Sequence, residues 1–95
     1  SDCDAWQPAL AGHVQQFERP PDMATGDRGY FSAKNERLAK DLGVAKVALP
    51  ARGRLSGVRR QLQKSRWFRR ALRWRAGIEA RIAAYEQWTG RTAGR

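Results

Sequence analysis

The chain has 95 residues, a single cysteine and a formal net charge of +10. This length allows one small domain with a modest core, and one cysteine excludes an intrachain disulfide. No apolar run reaches the roughly 20 residues of a membrane-spanning helix. The high positive charge favours a nucleic acid partner. An anionic membrane is the weaker alternative, and we do not expect it because the basic stretch has no clean lysine-rich polar face.

In chain order, the first half predicts a strand–helix–strand unit. Apolar spacing favours a short helix over 8–18, followed by a buried strand over Met23–Gly26. Ser32 is a good N-cap for a helix that ends near residue 42. Residues 44–49 have the composition of a second strand, and this order predicts two parallel strands.

The second half predicts long helices. Helical character begins near Val58, with a break at Lys64–Ser65, and the last helix is expected to be the longest. Its apolar residues recur every three or four positions and predict one buried stripe: Ala71, Trp74, Ile78, Ile82 and Tyr85. Gly77 within that helix is expected to mark a close approach to another element.

Together these elements predict an α/β fold: a βαβ unit with parallel strands followed by long basic helices. Two parallel strands are too few for an independent sheet. We therefore expect residues 1–95 to form one partial domain whose other strands lie upstream. Residues 1–7 and 90–95 are expected to be frayed tails.

Positive charge is concentrated in the second half. Residues 52–81 contain eleven basic residues and one acidic residue, Glu79, a balance of +10 that equals the charge of the whole chain. Residues 1–50 nearly balance, with six basic and seven acidic residues. Because a surface that binds polyanions excludes carboxylates, residues 52–81 predict a nucleic-acid-binding surface.

Two carboxylates are candidate metal ligands. Asp27 follows the first strand, at the edge of an α/β sheet where ligands bind, and Glu79 is expected at the margin of the last helix's apolar stripe. Such a pair can converge on one Mg²⁺ ion, and two such ions support in-line attack on a phosphodiester. The plainer alternatives are a turn aspartate and a salt bridge from Glu79 to Arg75, one helical turn earlier.

Three segments in order resemble a known family. They are TGDRGY at 25–30, VAKVALP at 44–50 and RWRAGIEARI at 73–82, and they are similar to the C-terminal part of bacterial insertion-sequence transposases with a DDE catalytic core. The resemblance implies an RNase H-like fold that cuts and joins DNA with three carboxylates and Mg²⁺ or Mn²⁺. It also implies that Asp27 is the second catalytic acid and Glu79 the third, both as metal ligands.

The match has two departures. Nothing in the chain matches the family's first acid, and Glu86 stands where the family often has a lysine, seven residues after Glu79. We therefore expect a truncated, frameshifted or partial element that is inactive alone. It would need the missing N-terminal half or a second copy, in the bacterial cytoplasm beside the nucleoid.

The expected partner is DNA. Arg75 would orient Glu79 or contact a phosphate, and the other candidate phosphate ligands are Arg59, Arg60, Lys64, Arg66, Arg69, Arg70 and Arg73. The alternative function is a non-catalytic basic nucleic-acid-binding module, and a third is a structural remnant without activity. Metal affinity requires Asp27 and Glu79, whereas simple DNA binding does not.

Aromatic residues in the basic stretch have two interpretations. Trp67, Phe68 and Trp74 could stack on unpaired bases or lie in the core. Helical spacing favours the core for Trp74 and leaves both interpretations open for Trp67. His13 has no second histidine or cysteine nearby in the sequence, so it is not predicted to bind a metal.

Overall fold

A computed structural model describes residues 2–78 and 81–86. Within them, four α-helices accompany a three-stranded sheet. The helices are α1 (Trp6–Phe17), α2 (Ala33–Asp41), α3 (Gly57–Lys64) and α4 (Arg66–Gly77). The strands are β1 (Met23–Gly26), β2 (Lys46–Ala48) and β3 (Ile82–Tyr85), and short 3-10 helices span Asp2–Ala5 and Arg28–Tyr30.

The central strand of the sheet is β1. It pairs in parallel with β2, with Ala24 opposite Val47, and antiparallel with β3, with Ala24 opposite Ala84. The predicted α/β class and the parallel βαβ unit are therefore confirmed. The third strand was not predicted, and it covers an edge of β1 that two strands alone would leave unpaired.

Helices pack on both faces of the sheet. Successive strand residues point to opposite sides, so neighbouring residues of β1 contribute to different buried clusters. Ala24 joins a buried cluster with Trp6 and Leu10, on the side of α1 and α2. Met23 joins a second cluster with Phe68, on the side of α4. We call α1 and α2 the amino-terminal layer, and α3 and α4 the carboxyl-terminal layer.

The amino terminus is folded, so the predicted frayed tail over 1–7 is wrong for residues 2–7. Trp6 is 0% exposed, and its Nε1 donates a hydrogen bond to the Asn35 carbonyl oxygen at 2.9 Å. The side-chain amide nitrogen of Asn35, Nδ2, donates hydrogen bonds to the carbonyl oxygens of Cys3 and Tyr30, both at 3.0 Å. Burial of one large aromatic side chain anchors the segment. The second predicted tail, over 90–95, lies outside the described residues.

The helix after β1 begins as predicted. Ser32 is the N-cap of α2, and its hydroxyl oxygen accepts a hydrogen bond from the Asn35 backbone N–H at 2.9 Å. Asn35 and Ala39 are the buried residues of the helix. The predicted break is also confirmed, since Ser65 separates α3 from α4.

The prediction that the last helix continues to Tyr85 is wrong. The helix ends at Gly77, and Ile82–Tyr85 form β3 instead of continuing it. Residues spaced by three and four fit a helix, but pairing with β1 satisfies the strand's backbone groups and buries Ala83, so tertiary context overrides the local pattern. A Cβ atom at Gly77 would meet nothing within 4 Å among the described residues, so this part of the chain shows no close approach there.

Candidate nucleic-acid interface and carboxylate site

One side of α4 is a continuous row of cations. Its arginines recur at the spacing that places residues on one helical face, while Phe68 and Ala71 on the opposite side are buried. Lys64, at the end of α3, extends the row. We call these residues the arginine face; together they line a cavity of about 330 Å³: Lys64, Arg66, Arg69, Arg70 and Arg73.

The junction between the two basic helices adds positive potential. Ser65 is the N-cap of α4 but makes no side-chain capping hydrogen bond there within the described part of the chain. Its hydroxyl instead donates to the Leu62 carbonyl oxygen at 2.6 Å. The first-turn amides of α4 therefore keep their partial positive charge, next to Lys64 and Arg66.

The basic surface continues onto α3. Arg60 and Lys64 lie one turn apart, and both line a second cavity of about 490 Å³ with Gly57 and Gln61. Arg60 is exposed. Because Lys64 borders both cavities, the two helices present one uninterrupted cationic surface.

Arg59 has a different environment from its neighbours. Its Nη2 lies 2.7 Å from Glu36 Oε1, and both side chains are mostly buried, with exposed fractions of 18% and 17%. Its guanidinium also lies 4.9 Å from the centroid of the Phe31 ring. Since Glu36 already neutralises it, Arg59 is poorly suited to the phosphate contact predicted for it and instead links α2 to α3.

Arg75 is not among the residues that line the cavity of the arginine face. It lies in the last turn of α4 and is half-buried. Its predicted pairing with Glu79 lies outside the described residues, and so does Glu79 itself. The described phosphate candidates are therefore the arginine face and Arg60.

The aromatic side chains near this surface belong to the core. Phe68 is buried, and the Trp67 ring meets it edge-on at 5.6 Å while Lys46 Nζ lies 5.1 Å from the Trp67 ring centroid. Trp74 packs edge-on against Tyr85 at 5.4 Å. All three side chains contribute to the cluster under α4, so the core interpretation describes them better than base stacking.

Asp27 lies at the carboxyl end of β1, as predicted. Its backbone N–H donates to the Arg81 carbonyl oxygen at 3.0 Å, and its own carbonyl oxygen accepts from the Tyr30 N–H at 3.1 Å. Its Oδ2 atom lies 3.6 Å from Arg81 Nε. Its Oδ1 atom is buried and has no hydrogen-bond partner among the described residues.

Glycine at position 26 makes this crowded corner possible. A Cβ atom there would lie 3.2 Å from the Arg81 carbonyl oxygen, 3.2 Å from Tyr30 Cδ2 and 3.3 Å from Leu49 Cδ2. Glycine lets β3 and Tyr30 approach β1 directly beside Asp27. The close approach that the sequence placed at Gly77 is thus found at Gly26.

Glu79 precedes Arg81 by two residues, and Arg81 contacts Asp27 through both backbone and side chain. Arg81, which contacts Asp27, is therefore close in sequence to the third predicted acid. Within residues 2–78 and 81–86, no three metal-ligating side chains form a cluster. Asp27 Oδ1, a buried carboxylate oxygen without a described partner, is chemically suited to a hard divalent cation.

Glu86, one of the two departures from the family pattern, connects β3 to α1. Its Oε2 lies 3.6 Å from Arg19 Nε and 3.9 Å from His13 Nε2. The His13 ring also packs on Phe17, with centroids 4.5 Å apart. His13 thus has neighbours typical of a structural histidine.

Sequence reasoning missed two contacts that matter for the site. Neither the pairing of Arg81 with Asp27 nor that of Glu36 with Arg59 has a local sequence signal. Each joins residues far apart in the chain, and each depends on how the elements pack. The apolar run over 82–85 is only four residues long, which is too short to have identified β3.

Comparisons with known proteins found no match for this chain. No protein-family model matches it, and neither a curated protein nor a solved structure is significantly similar. In the part of the chain that the structure describes, every helix is too short or too polar to cross a bilayer.

Proposed function

We propose that this chain is the carboxyl-terminal part of a DDE-type DNA transposase core with an RNase H-like fold. In this proposal it binds DNA through the arginine face and contributes Asp27 and Glu79 to a site for Mg²⁺ or Mn²⁺. The arginine face is the observation that carries the DNA-binding part. The ordered motifs around Asp27 and Glu79 support the catalytic part.

The arginine face suits a phosphate backbone better than base edges. Five cations surround one cavity, and Arg60 extends them along α3. The nearby aromatic rings are engaged in the core, which removes the stacking platform typical of single-strand binding. Arginine and lysine contacts to phosphates set affinity and register without reading sequence, so the proposed binding is to duplex DNA and largely independent of sequence.

Salt dependence tests this part of the proposal. If six cations each neutralise one phosphate, the logarithm of the affinity should fall with the logarithm of salt with a slope of about −5. Fluorescence anisotropy with a labelled duplex should then show affinity falling about 10³-fold between 50 and 200 mM salt. Absence of binding at low salt, or binding that salt leaves unchanged, would refute a phosphate-binding face.

Asp27 and Glu79 would hold the metal in the catalytic part of the proposal. When bound, such an ion polarises a phosphodiester oxygen and activates the attacking nucleophile. Asp27 is fixed for this role by its backbone hydrogen bonds to Arg81 and Tyr30. The family's first acid would come from the upstream half or a second copy, so we expect no DNA cleavage by this chain alone.

The competing function is a basic nucleic-acid-binding module without a metal site. The two functions differ at Asp27 and Glu79. For the transposase fragment, Asp27→Asn and Glu79→Gln should each abolish weak Mn²⁺ binding, measured by the free-Mn²⁺ signal in electron paramagnetic resonance. Duplex affinity measured without metal should fall in neither variant.

Loss of duplex binding in Asp27→Asn would contradict this division of labour. Unchanged Mn²⁺ affinity in both variants would favour the module. A matched control is Asp41→Asn, which removes an exposed carboxylate at the end of α2 and should leave both measurements unchanged.

A further inference from the structure

Arg81 places a positive charge beside the Asp27 carboxylate. Its Nε lies 3.6 Å from Asp27 Oδ2, and its guanidinium carbon lies 5.9 Å from the centroid of the Tyr30 ring. Tyr30 itself donates its backbone N–H to the Asp27 carbonyl oxygen. The Asp27 carboxylate therefore lies beside the Arg81 guanidinium, which in turn lies near the Tyr30 ring.

We propose that Arg81 competes with a divalent cation for the Asp27 carboxylate and thereby sets the metal affinity of this site. The inference rests on the proposed function, in which Asp27 is a metal ligand. In the absence of metal, the guanidinium neutralises Asp27. When a metal ion binds, the Arg81 side chain moves away, because a cation and a divalent ion on one carboxylate repel each other.

The exposure of both side chains allows a metal ion to replace Arg81 at the Asp27 carboxylate. The Arg81 side chain is 65% exposed and that of Asp27 is 32% exposed, so the pair is solvated and individually weak. The Tyr30 ring offers the displaced guanidinium a second place to rest. Asp27 Oδ1, meanwhile, has no hydrogen-bond partner among the described residues, so the pairing with Arg81 leaves part of the carboxylate unsatisfied.

Backbone geometry makes the Arg81 side chain separable from the fold. The Asp27 N–H bonds to the Arg81 carbonyl oxygen, and Gly26 pairs with Ile82 in the sheet. The first contact uses the main chain of Arg81, and the second uses Ile82, so neither requires the Arg81 side chain. A side-chain substitution at position 81 therefore removes the guanidinium and leaves the β1–β3 pairing in place.

The test measures Mn²⁺ binding to the full chain, by electron paramagnetic resonance and by calorimetry, in Arg81→Gln and its controls. Arg81→Gln should bind Mn²⁺ about 5-fold more tightly than the natural sequence, the size expected for removing one exposed charge pair. Arg28→Gln removes the same charge from the exposed residue next to Asp27, and it should change affinity less than about 2-fold. Circular dichroism establishes that each variant retains its helices.

Adding Asp27→Asn separates this inference from the proposed function. The gain of Arg81→Gln should disappear in the double variant, because the carboxylate that receives the ion is gone. If Arg81→Gln binds Mn²⁺ no more tightly, while Asp27→Asn still abolishes binding, the competition is refuted and the metal site stands. If Asp27→Asn changes nothing in either background, both are refuted. An equal gain in Arg28→Gln would also overturn the inference, since the effect would then be general charge.

Discussion

The two helical layers bury similar cores but present opposite kinds of surface. Each layer is anchored to the sheet by one large aromatic residue that is 0% exposed, Trp6 in the amino-terminal layer and Phe68 in the carboxyl-terminal layer. The exposed side of α2 mixes charges of both signs. From residue 52 to residue 75 the sequence contains ten basic residues and no acidic one.

Under the proposed function, this contrast separates residues that fold the chain from residues that bind a partner. A row of like charges on one helix is unfavourable by itself, because neighbouring cations repel each other. The apolar side of α4 compensates by packing on the sheet. We therefore do not expect the cationic row to stabilise the fold, and under the proposed function it serves a polyanionic partner.

The two cores should respond alike to truncation. Trp6→Ala and Phe68→Ala should each lower the free energy of unfolding by about 3–5 kcal/mol, through lost burial and the cavity left behind. Urea denaturation followed by circular dichroism measures both. An effect below about 1 kcal/mol for one of them would show that its layer does not fold cooperatively with the sheet.

The ion pair between the layers should matter next. Glu36→Gln should lower the free energy of unfolding by about 1–3 kcal/mol, because it leaves the mostly buried Arg59 guanidinium without its counter-charge. Arg37→Gln, an exposed change on the same helix, should stay within about 0.5 kcal/mol. Equal effects in the two variants would show that the pair contributes no more than a surface charge.

The N-cap of α2 should have a smaller effect. Ser32→Ala removes the hydroxyl that accepts the Asn35 N–H and should cost about 1 kcal/mol. Ser32→Asp keeps an acceptor at the same position and should restore most of that loss. If both substitutions destabilise equally in urea denaturation, the loss does not come from the cap.

Neutralising the arginine face should have the smallest effect on stability. Replacing Arg66, Arg69 and Arg73 together by glutamine changes three exposed side chains. The free energy of unfolding should stay within about 0.5 kcal/mol per site, with any net change toward higher stability as repulsion is relieved. A large loss would mean that these side chains support the fold, and it would remove the contrast between the layers.

Local signals predicted the parts of the fold that depend on nearby residues. The β1 strand, the Ser32 cap and the break at Ser65 each follow from propensity or from one side chain. The last helix failed because residues 82–85 fit a helical period as well as a strand, and only pairing with β1 decides between them. The buried Trp6 was missed because its partners are supplied by α2, about thirty residues later.

The candidate site also has residues that local sequence predicts and residues whose environment depends on packing between distant elements. The arginine face follows from the run of basic residues in the second half of the chain, and Asp27 from its position after a strand. Arg59 could not be separated from its neighbours, because its neutralisation by Glu36 depends on how α2 and α3 pack. The partnership of Arg81 with Asp27 depends on β3, which the sequence pattern had assigned to a helix.

We propose that the carboxyl-terminal layer, and not the charge of the chain as a whole, binds DNA. The most direct measurement compares two variants that each lose three positive charges: Arg66→Gln/Arg69→Gln/Arg73→Gln on the arginine face and Lys34→Gln/Arg37→Gln/Lys40→Gln on α2, where all three side chains are exposed. Duplex affinity is titrated across salt concentrations for both. The account predicts that the salt slope falls from about −5 to about −3 in the first variant and stays near −5 in the second. Equal slopes in the two variants would contradict it, because binding would then follow net charge alone.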